Sequence, residues 1–143
     1  MPREIDFQTM IINSVRRDGG YGSKWSSSVQ IGKPDLILVH HRIGSAFVEV
    51  KKEELGKLYT MSRELKVTPK QENELKMIND AGGLGMVMVV IDGGHRDRYL
   101  VALPHDADRI EWPSRYPHVK FGVGGYVDVV GLCMEYKRWR TEQ

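Results

Sequence analysis

Two segments of the chain show the three- and four-residue spacing of apolar side chains that is typical of amphipathic helices. The first covers residues 7–17 and is followed by two glycines, so we expect the helix to end there. The second follows Thr68-Pro69, which has the form of a helix N-cap and a first-turn proline, and reaches Gly82-Gly83. Their apolar positions are Phe7, Met10, Ile11 and Val15 in the first segment, and Leu75, Ile78 and Ala81 in the second.

Short apolar runs rich in β-branched residues predict the strands. Two runs, in residues 35–41 and 45–51, are joined by a short turn containing Gly44, which favours an antiparallel hairpin. Two more runs, in residues 85–92 and 98–104, predict a second pair of strands. This order of helices and strands indicates an α/β fold with a mixed central sheet flanked by helices.

The remaining segments have weaker patterns. Residues 19–28 are rich in glycine and serine and are interpreted as a loop, residues 52–67 as a loop or short helix, and residues 106–112 as a short helix. Residues 121–140 are expected to add one strand and a basic terminal segment. The length of 143 residues, with no repeat and no linker, predicts a single domain.

The predicted hairpin brings two acidic residues and a lysine together. If its turn centres near Arg42, paired residues have numbers that sum to about 84, which places Asp35 opposite Glu49. The Cβ atoms of opposed residues lie roughly 5 Å apart, close enough for two carboxylates to hold one cation. Lys51 shares a strand face with Glu49, because side chains alternate along a strand with a period of two.

Such a pair of carboxylates suits a hard divalent cation such as Mg²⁺ or Mn²⁺, which prefers oxygen ligands and keeps waters for a substrate phosphate. The carbonyl group of Val50 is a candidate third oxygen ligand. A bound metal would polarise a phosphodiester and activate water, and a nearby lysine would offset the developing charge. On spacing alone, however, the plainer interpretation of two solvent-facing carboxylates with a weak ion pair is favoured.

A family resemblance changes that balance. The proline-aspartate pair at 34–35, then a strand, a short turn and glutamate-valine-lysine at 49–51, closely resembles the motif of PD-(D/E)XK nucleases. Longer strings resemble archaeal-type Holliday junction resolvases and the related VRR-NUC domains, and they lie in residues 22–39, 47–52 and 68–71. The resemblance covers about residues 5–103, which leaves residues 104–143 as a C-terminal extension.

The resemblance implies a role for each residue of the motif. Asp35 and Glu49 would bind the metal, with the Val50 carbonyl beside them, and Lys51 would be catalytic. Gln71, at the start of the second helix, would help to complete the site. Gln71 also fits a helix capping box, and the two roles are compatible. The fold that the resemblance implies, a mixed sheet flanked by helices, agrees with the hydrophobic pattern.

The chain departs from the family in two places. Relatives often carry a glutamate on the first helix as an additional acid near the metal, and the matching position here is Gln8, with Glu4 and Asp6 a turn away. The number of metals therefore stays open. The serine that relatives place before the first motif has several candidates here, Ser23 and the serines at 26–28.

Basic residues surround the predicted site, although the net charge of the chain is only +2. Any DNA binding must therefore come from local patches rather than from overall charge. The residues predicted to contact DNA are Ser23, Lys24, Trp25, Lys52, Lys57 and Lys70. Each lysine taken singly also fits an ordinary surface charge, and Trp25 either stacks on bases or anchors its own loop.

No cofactor other than the divalent metal is predicted. The five histidines lack the spacing of a zinc site and are interpreted as turn or surface residues. Residues 122–125 lack the lysine and serine or threonine of a P-loop, so no nucleotide cofactor is expected. Cys133 is expected to be a buried small hydrophobe. With no membrane-spanning run and no secretory signal, the expected location is the cytoplasm, or the host cytoplasm if the chain is phage-encoded.

These observations predict a Mg²⁺-dependent endodeoxyribonuclease. The resemblance favours a structure-specific Holliday junction resolvase in DNA recombination or repair, acting on branched DNA as a homodimer, since two symmetric cuts need two identical sites. The alternatives are a flap, nicking or restriction-like endonuclease, an RNA-processing enzyme, and a catalytically inactive DNA-binding module of the same fold. Metal dependence separates the enzymes from the inactive module.

Overall fold

The computed structural model describes residues 3–25, 32–55, 60–93, 97–122, 124 and 126–143. Six strands in these ranges form one sheet in the order β1-β2-β3-β5-β6-β8, and β4 pairs with β7 in a separate two-stranded sheet. The elements follow one another as α1 (Glu4–Arg17), β1 (Tyr21–Lys24), β2 (Leu36–His40), β3 (Gly44–Glu54), β4 (Met61–Glu64), α2 (Pro69–Asp80), β5 (Leu84–Asp92), β6 (Arg98–Leu103), β7 (Arg109–Trp112), β8 (His118–Phe121) and α3 (Val129–Thr141).

The six-stranded sheet is mixed, as the sequence predicts. β2 and β3 form the expected antiparallel hairpin, and β3 runs parallel to β5 through the crossover helix α2. The other neighbouring strands pair antiparallel. β5 is buried along its whole length, as expected for a strand that is covered on both faces. The protein is therefore an α/β structure with a mixed central sheet flanked by helices.

Each face of the sheet has its own hydrophobic core. α1 and α3 cover one face, where Phe7, Ile11 and Tyr136 are buried. α2 and the β4–β7 pair cover the other face, where Leu75 and Ile110 are fully buried. Because side chains alternate along a strand, β5 contributes to both cores. Its residues Met86, Met88 and Val90 belong to the first core, and Val87, Val89 and Ile91 to the second.

Both predicted helices are confirmed. α1 begins three residues before the predicted start, with Glu4 and Asp6 in its first turn. α2 begins after its predicted cap Thr68, with a proline in the first turn. Leu75 is buried as predicted, whereas Ile78 is half-buried and Ala81 is exposed just beyond the helix end.

The interpretation of residues 19–28 as a loop is wrong for its first half, because Tyr21–Lys24 form the edge strand β1. Gly22 of this strand is buried against α1, and a Cβ atom added there would come within 3.3 Å of Ile12. The glycine that suggests a loop in the sequence therefore allows the helix to approach the strand closely. The serines at 26–28 lie outside the described residues.

Two further segments form strands that the sequence does not predict. β3 extends to Glu54, and β4 follows it, where a loop or short helix is expected in residues 52–67. β7 replaces the short helix expected in residues 106–112, and it pairs with β4. This pairing joins residues far apart in the sequence and gives both short strands a partner.

The C-terminal segment is a helix rather than an irregular basic segment. The Asp128 carboxylate accepts a hydrogen bond from the Gly131 N–H at 3.0 Å and so caps α3. The strand expected in residues 121–140 is wrong: β8 ends at Phe121, and among the described residues after it the regular element is α3. Cys133 is buried within α3, as predicted.

The interpretation of the histidines as turn or surface residues is wrong for His40. Its side chain is buried at the end of β2, and its Nε2 atom lies 2.9 Å from the Asp18 carbonyl oxygen. Within the described part of the chain, no helix combines the length and apolar character that crossing a bilayer requires.

Candidate active site

The β2–β3 hairpin has the predicted register. Paired residues run from His40 with Gly44 to Leu36 with Val48, so their numbers sum to 84. One further step along the same register places Asp35 beside Glu49 on the face of the sheet that α2 covers. Local hairpin pairing therefore brings the two acidic residues together, as the sequence predicts.

Asp35 is held by the backbone on both sides. Its Oδ2 atom accepts a hydrogen bond from the Val50 N–H at 2.8 Å, and its carbonyl oxygen accepts one from the Trp25 N–H at 2.8 Å. The N–H and C=O of a strand residue point to the same side of the strand. The Val50 carbonyl is therefore directed toward the side on which Asp35 lies, beyond the last β2–β3 pair.

The two oxygens of the Glu49 carboxylate have different surroundings. Oε2 accepts a hydrogen bond from Gln71 Nε2 at 2.8 Å and lies 3.3 Å from Lys51 Nζ. Oε1 is buried and has no hydrogen-bond partner among the described residues, while Glu49 as a whole is only 3% exposed. A buried polar atom without a partner is uncommon in native proteins, and such an atom calls for a ligand or a role in function.

Burial and like charge both oppose ionisation at this site. Burial, with a smaller effect of the neighbouring Asp35 carboxylate, raises the pKa of Glu49 to about 7, against the lowering effect of the Lys51 ammonium. Burial also raises the pKa of Asp35, against the lowering effects of the Val50 N–H and Lys51. A cation between the carboxylates would favour the ionised form of both.

The donor set fits a hard divalent cation. Across the described ranges, Asp35 and Glu49 gain no third side chain of the His, Cys, Asp or Glu type that would complete a cluster for a metal. The protein thus offers two carboxylates, one with an unpartnered buried oxygen, and the Val50 carbonyl. Mg²⁺ is typically held by one or two carboxylates and keeps several waters. This set of oxygen ligands therefore suits Mg²⁺ better than it suits a metal that prefers nitrogen or sulfur ligands.

Gln71 forms the predicted capping box and also contacts Glu49. Its Oε1 atom accepts a hydrogen bond from the Thr68 N–H at 3.0 Å, and its own N–H donates to Thr68 Oγ1 at 3.2 Å. Its Nε2 atom meanwhile donates to Glu49. One amide side chain therefore connects the N-terminus of α2 to the buried carboxylate.

The acid on α1 that affects Glu49 is Glu4 rather than a residue at position 8. Gln8 lies half-buried in α1, whereas the charge of Glu4 contributes to raising the Glu49 pKa. The sequence places Glu4 only one helical turn from Gln8, so its spacing contained this signal.

Trp25 packs against the hairpin and anchors the end of β1. Its ring centroid lies 5.8 Å from that of Phe47, and Lys33 Nζ lies 5.3 Å from the ring. Lys33 also forms an ion pair with Glu74 of α2. Sequence reasoning missed Lys33, although its position directly before the proline-aspartate pair places it next to the site.

The other predicted DNA contacts differ in their surroundings. Lys24 and Lys70 are exposed, while Ser23 is half-buried and donates from its hydroxyl to the Lys24 carbonyl at 3.4 Å. Lys52 lies 3.4 Å from Glu54. Lys57 lies outside the described residues.

Comparison with known proteins shows the fold. No protein-family model and no curated protein matches the sequence. Among solved structures, the chain is similar to Archaeoglobus fulgidus Hjc, a Holliday junction resolvase from an archaeal hyperthermophile. The match has a TM-score of 0.50 and 10% sequence identity, and it covers 77% of this chain and 83% of the Hjc chain. The resemblance found in the sequence is thus confirmed at the level of the fold.

Proposed function

We propose that this protein is a metal-dependent endonuclease that hydrolyses phosphodiester bonds in branched DNA, acting as a homodimer on four-way junctions. The observation that carries the proposal is the buried Glu49 carboxylate, with one oxygen unpartnered among the described residues, beside Asp35 and Lys51. The likeness of the fold to a Holliday junction resolvase supports a nuclease and suggests the class of substrate.

In this proposal Asp35, Glu49 and the Val50 carbonyl would hold the metal. When bound, Mg²⁺ or Mn²⁺ would supply Lewis acidity toward the phosphate and lower the pKa of a water molecule. Two hydrogen bonds keep the carboxylates in place before the substrate arrives: the backbone N–H of Val50 fixes Asp35, and the Gln71 side chain fixes one oxygen of Glu49. Substituting a residue that holds a metal ligand in place typically lowers metal affinity or activity by about 10- to 100-fold.

Lys51 is proposed to act on the phosphate. Its side chain is 21% exposed, so the ammonium group remains accessible while its Nζ atom stays 3.3 Å from Glu49 Oε2. In that position it can neutralise the negative charge that develops on the phosphate oxygens as the bond to the attacking water forms. Exposed Lys24 and Lys70, together with Lys52, are proposed to bind the flanking phosphates.

The proposal is tested by cleavage of labelled DNA in the presence of Mg²⁺ or Mn²⁺. The substrates are a four-way junction, a flap, single-stranded DNA, linear duplex and a matching RNA duplex. Wild-type protein is compared with Glu49→Gln, with a chelator control, and with Glu54→Gln, which removes an exposed glutamate from the same strand. We expect paired nicks in the junction, lost with Glu49→Gln and with chelator and retained with Glu54→Gln.

The other outcomes separate the alternatives. Metal-dependent cutting of every DNA substrate would keep the nuclease assignment and remove the preference for junctions. Cutting confined to the RNA duplex would replace DNA with RNA as the substrate. DNA binding without cutting under all metal conditions would identify an inactive DNA-binding module.

A further inference from the structure

A groove of about 600 Å³ lies at the end of the sheet away from Glu49. It is bounded by the β2–β3 turn, the turn between α2 and β5, and the last turns of α3. Lys137 and Arg140 line it, and none of the described residues in its wall is an aspartate or glutamate. The groove is therefore positively charged, which suits a polyanion.

Arg140 is held in position before any ligand binds. Its Nη1 atom donates to Asn79 Oδ1 at 2.7 Å. Asn79 is itself fixed, because its side chain accepts from the Gly85 N–H at 2.8 Å and donates to the Gly85 carbonyl at 3.2 Å. A guanidinium group has five N–H donors, so donors beyond this bond can bind a phosphate with little further loss of side-chain entropy.

Two glycine turns leave the groove open. Gly44 and Gly82 have φ angles of +73° and +97°, which favour glycine, and a Cβ atom added at either would have no described neighbour within 4 Å. A sugar-phosphate chain can therefore approach the backbone of both turns. Ser45 beside Gly44 is exposed and adds a hydroxyl group to the wall.

Three acids of neighbouring segments, Asp80, Asp106 and Asp108, are absent from the lining of this groove. Asp80, at the end of α2, is paired with Lys76 at 2.9 Å. On the other side of Arg140, a separate cavity contains Asp106 and Asp108, whose charges oppose a phosphate there. The positive surface that a polyanion can follow is thus limited to the side of Arg140 that faces Lys137.

The distance from the catalytic centre matches a duplex arm. Glu49 follows Gly44 by five residues of β3, or about 17 Å. Successive nucleotides of one DNA strand rise about 3.4 Å along the helix axis, so this distance corresponds to about five base pairs. A duplex arm that runs along β3 from a scissile phosphate at Glu49 would bring a phosphate of the same arm level with the groove.

We infer that this groove binds the phosphate backbone of a duplex arm about five base pairs from the cleaved bond, through Arg140 and Lys137. The inference rests on the proposed function and adds to it a phosphate-binding site outside the catalytic centre. Both cations also lie near the C-terminus of α2, whose last turn has no basic residue. Positive charge there stabilises a helix, so the test must distinguish this structural role from phosphate binding.

The test measures DNA affinity as a function of salt. All proteins carry Glu49→Gln to prevent cutting, and the substrate is a four-way junction with long arms. Lys137→Gln/Arg140→Gln is compared with Arg138→Gln, which removes a charge from the same helix but lines a different cavity with Glu135 and Glu142. Log affinity falls as log salt concentration rises. Removing one cation that neutralises a phosphate makes this slope less steep by about 0.9.

We expect the slope to be less steep by about 1.8 in the double variant and unchanged in Arg138→Gln. Arg140→Lys, which keeps the charge, should retain the slope. Arms that end closer than about five base pairs to the cut should remove the difference between the double variant and its parent.

An unchanged slope in the double variant, with or without a lower melting temperature, would overturn the inference and assign both residues a structural role. That result leaves the proposed function standing if the protein with Glu49 intact cuts DNA. Absence of both binding and cutting in the wild-type protein would overturn the proposed function and this inference together.

Discussion

At the level of single residues, the behaviour of Glu49 follows from its position in β3. The strand places the carboxylate beside Asp35, and α2 covers it, so one oxygen has donors and the other has none among the described residues. Ionising such a group without a cation is costly, because burial and the Asp35 charge both favour the protonated form. The metal-free protein should therefore be sensitive to pH.

We predict that the metal-free protein loses stability between about pH 4.5 and 7. The folded state keeps the Glu49 proton up to a pKa of about 7, whereas the unfolded state releases it near 4.5. The folded state therefore binds more protons in this range, and its free energy of unfolding falls as pH rises. The full pKa difference corresponds to roughly 3 kcal/mol. Urea unfolding at pH 5 and pH 8 with a chelator measures the effect.

The control is Glu49→Gln, which removes the titrating group while keeping a similar shape. Its loss of stability between pH 5 and 8 should be smaller by up to roughly 3 kcal/mol. Asp35, Lys51 and Glu4 also carry charge near position 49, and all three remain in both proteins. Parallel pH profiles for the two proteins would show that Glu49 is ionised normally in the fold.

For Lys51, we predict a loss of cutting without a matching loss of DNA binding. Lys51→Met should slow single-turnover cleavage by about 10²- to 10³-fold, the range seen when one stabilising donor is removed from a transition state. It should also move the pH midpoint of cutting upward, because Lys51 lowers the pKa of Glu49.

Lys52→Met serves as the matched variant. Lys52 lies on the opposite face of β3 from Lys51 and pairs with Glu54. Its substitution should weaken DNA binding at most and leave the pH midpoint in place. If the two variants slowed cleavage equally and with unchanged midpoints, Lys51 would be a binding residue rather than a catalytic one.

The juxtaposition of the acidic residues could be predicted from the sequence because a hairpin register depends on local spacing. The pairing of Asp35 with Glu49 follows from a turn near Arg42 alone. The contacts of Lys33 with Trp25 and Glu74 could not be predicted this way. They join three separate elements, and their geometry depends on how α2 packs against the hairpin.

At the level of elements, periodicity predicted the parts that bury a continuous apolar face. α1, β2, β3, β5 and β6 are of this kind, whereas α2 buries only Leu75 and was predicted mainly from its Thr68-Pro69 cap. The short edge strand β1 contributes a buried glycine instead of an apolar side chain, and β4 has no fully buried residue, so neither shows an apolar pattern. In α3, the β-branched residues at its start resemble a strand, and the Asp128 cap is what begins the helix.

A prediction at this level concerns the link between α2 and the proposed catalytic centre. Thr68→Ala removes the side-chain cap of α2 and should cost about 1 kcal/mol of unfolding free energy. Gln71→Ala removes the return bond of the capping box and also the bond to Glu49. We therefore expect a similar loss of stability for both variants, but a roughly 10- to 100-fold weaker Mg²⁺ affinity for Gln71→Ala alone.

Isothermal titration with Mg²⁺ and urea unfolding measure the two quantities on the same samples. Gln71→Glu is an informative third variant, because it keeps a capping oxygen but adds a charge beside Glu49. Equal Mg²⁺ affinities for the Thr68 and Gln71 variants would limit Gln71 to its capping role.

At the level of the whole molecule, the proposed homodimer can be tested through the pairing of cuts. We predict that wild-type protein mixed with excess Glu49→Gln forms mixed dimers with one competent site. On a four-way junction these dimers should produce single nicks in place of paired nicks, because each site cuts one strand. A plasmid with a cruciform would then give nicked circles rather than linear product.

The control is excess protein with Glu54→Gln, which keeps both sites competent and should leave the linear product unchanged. If excess Glu49→Gln lowered the total cutting but left the cuts paired, the protein would cut both strands without exchanging subunits. Sedimentation at several concentrations would then show whether one chain acts alone.

The Gln71 side chain is hydrogen-bonded to both Thr68 and Glu49, and this has a consequence for the timescale of metal exchange. The first turn of a helix opens and closes far more often than the folded domain unfolds. Each such opening in α2 would detach the Gln71 amide from the Glu49 carboxylate, so one Glu49 oxygen would gain rotational freedom only for the lifetime of the open turn. A more stable cap on α2 would thus keep the Glu49 carboxylate fixed for longer and would prolong the residence time of a cation bound there.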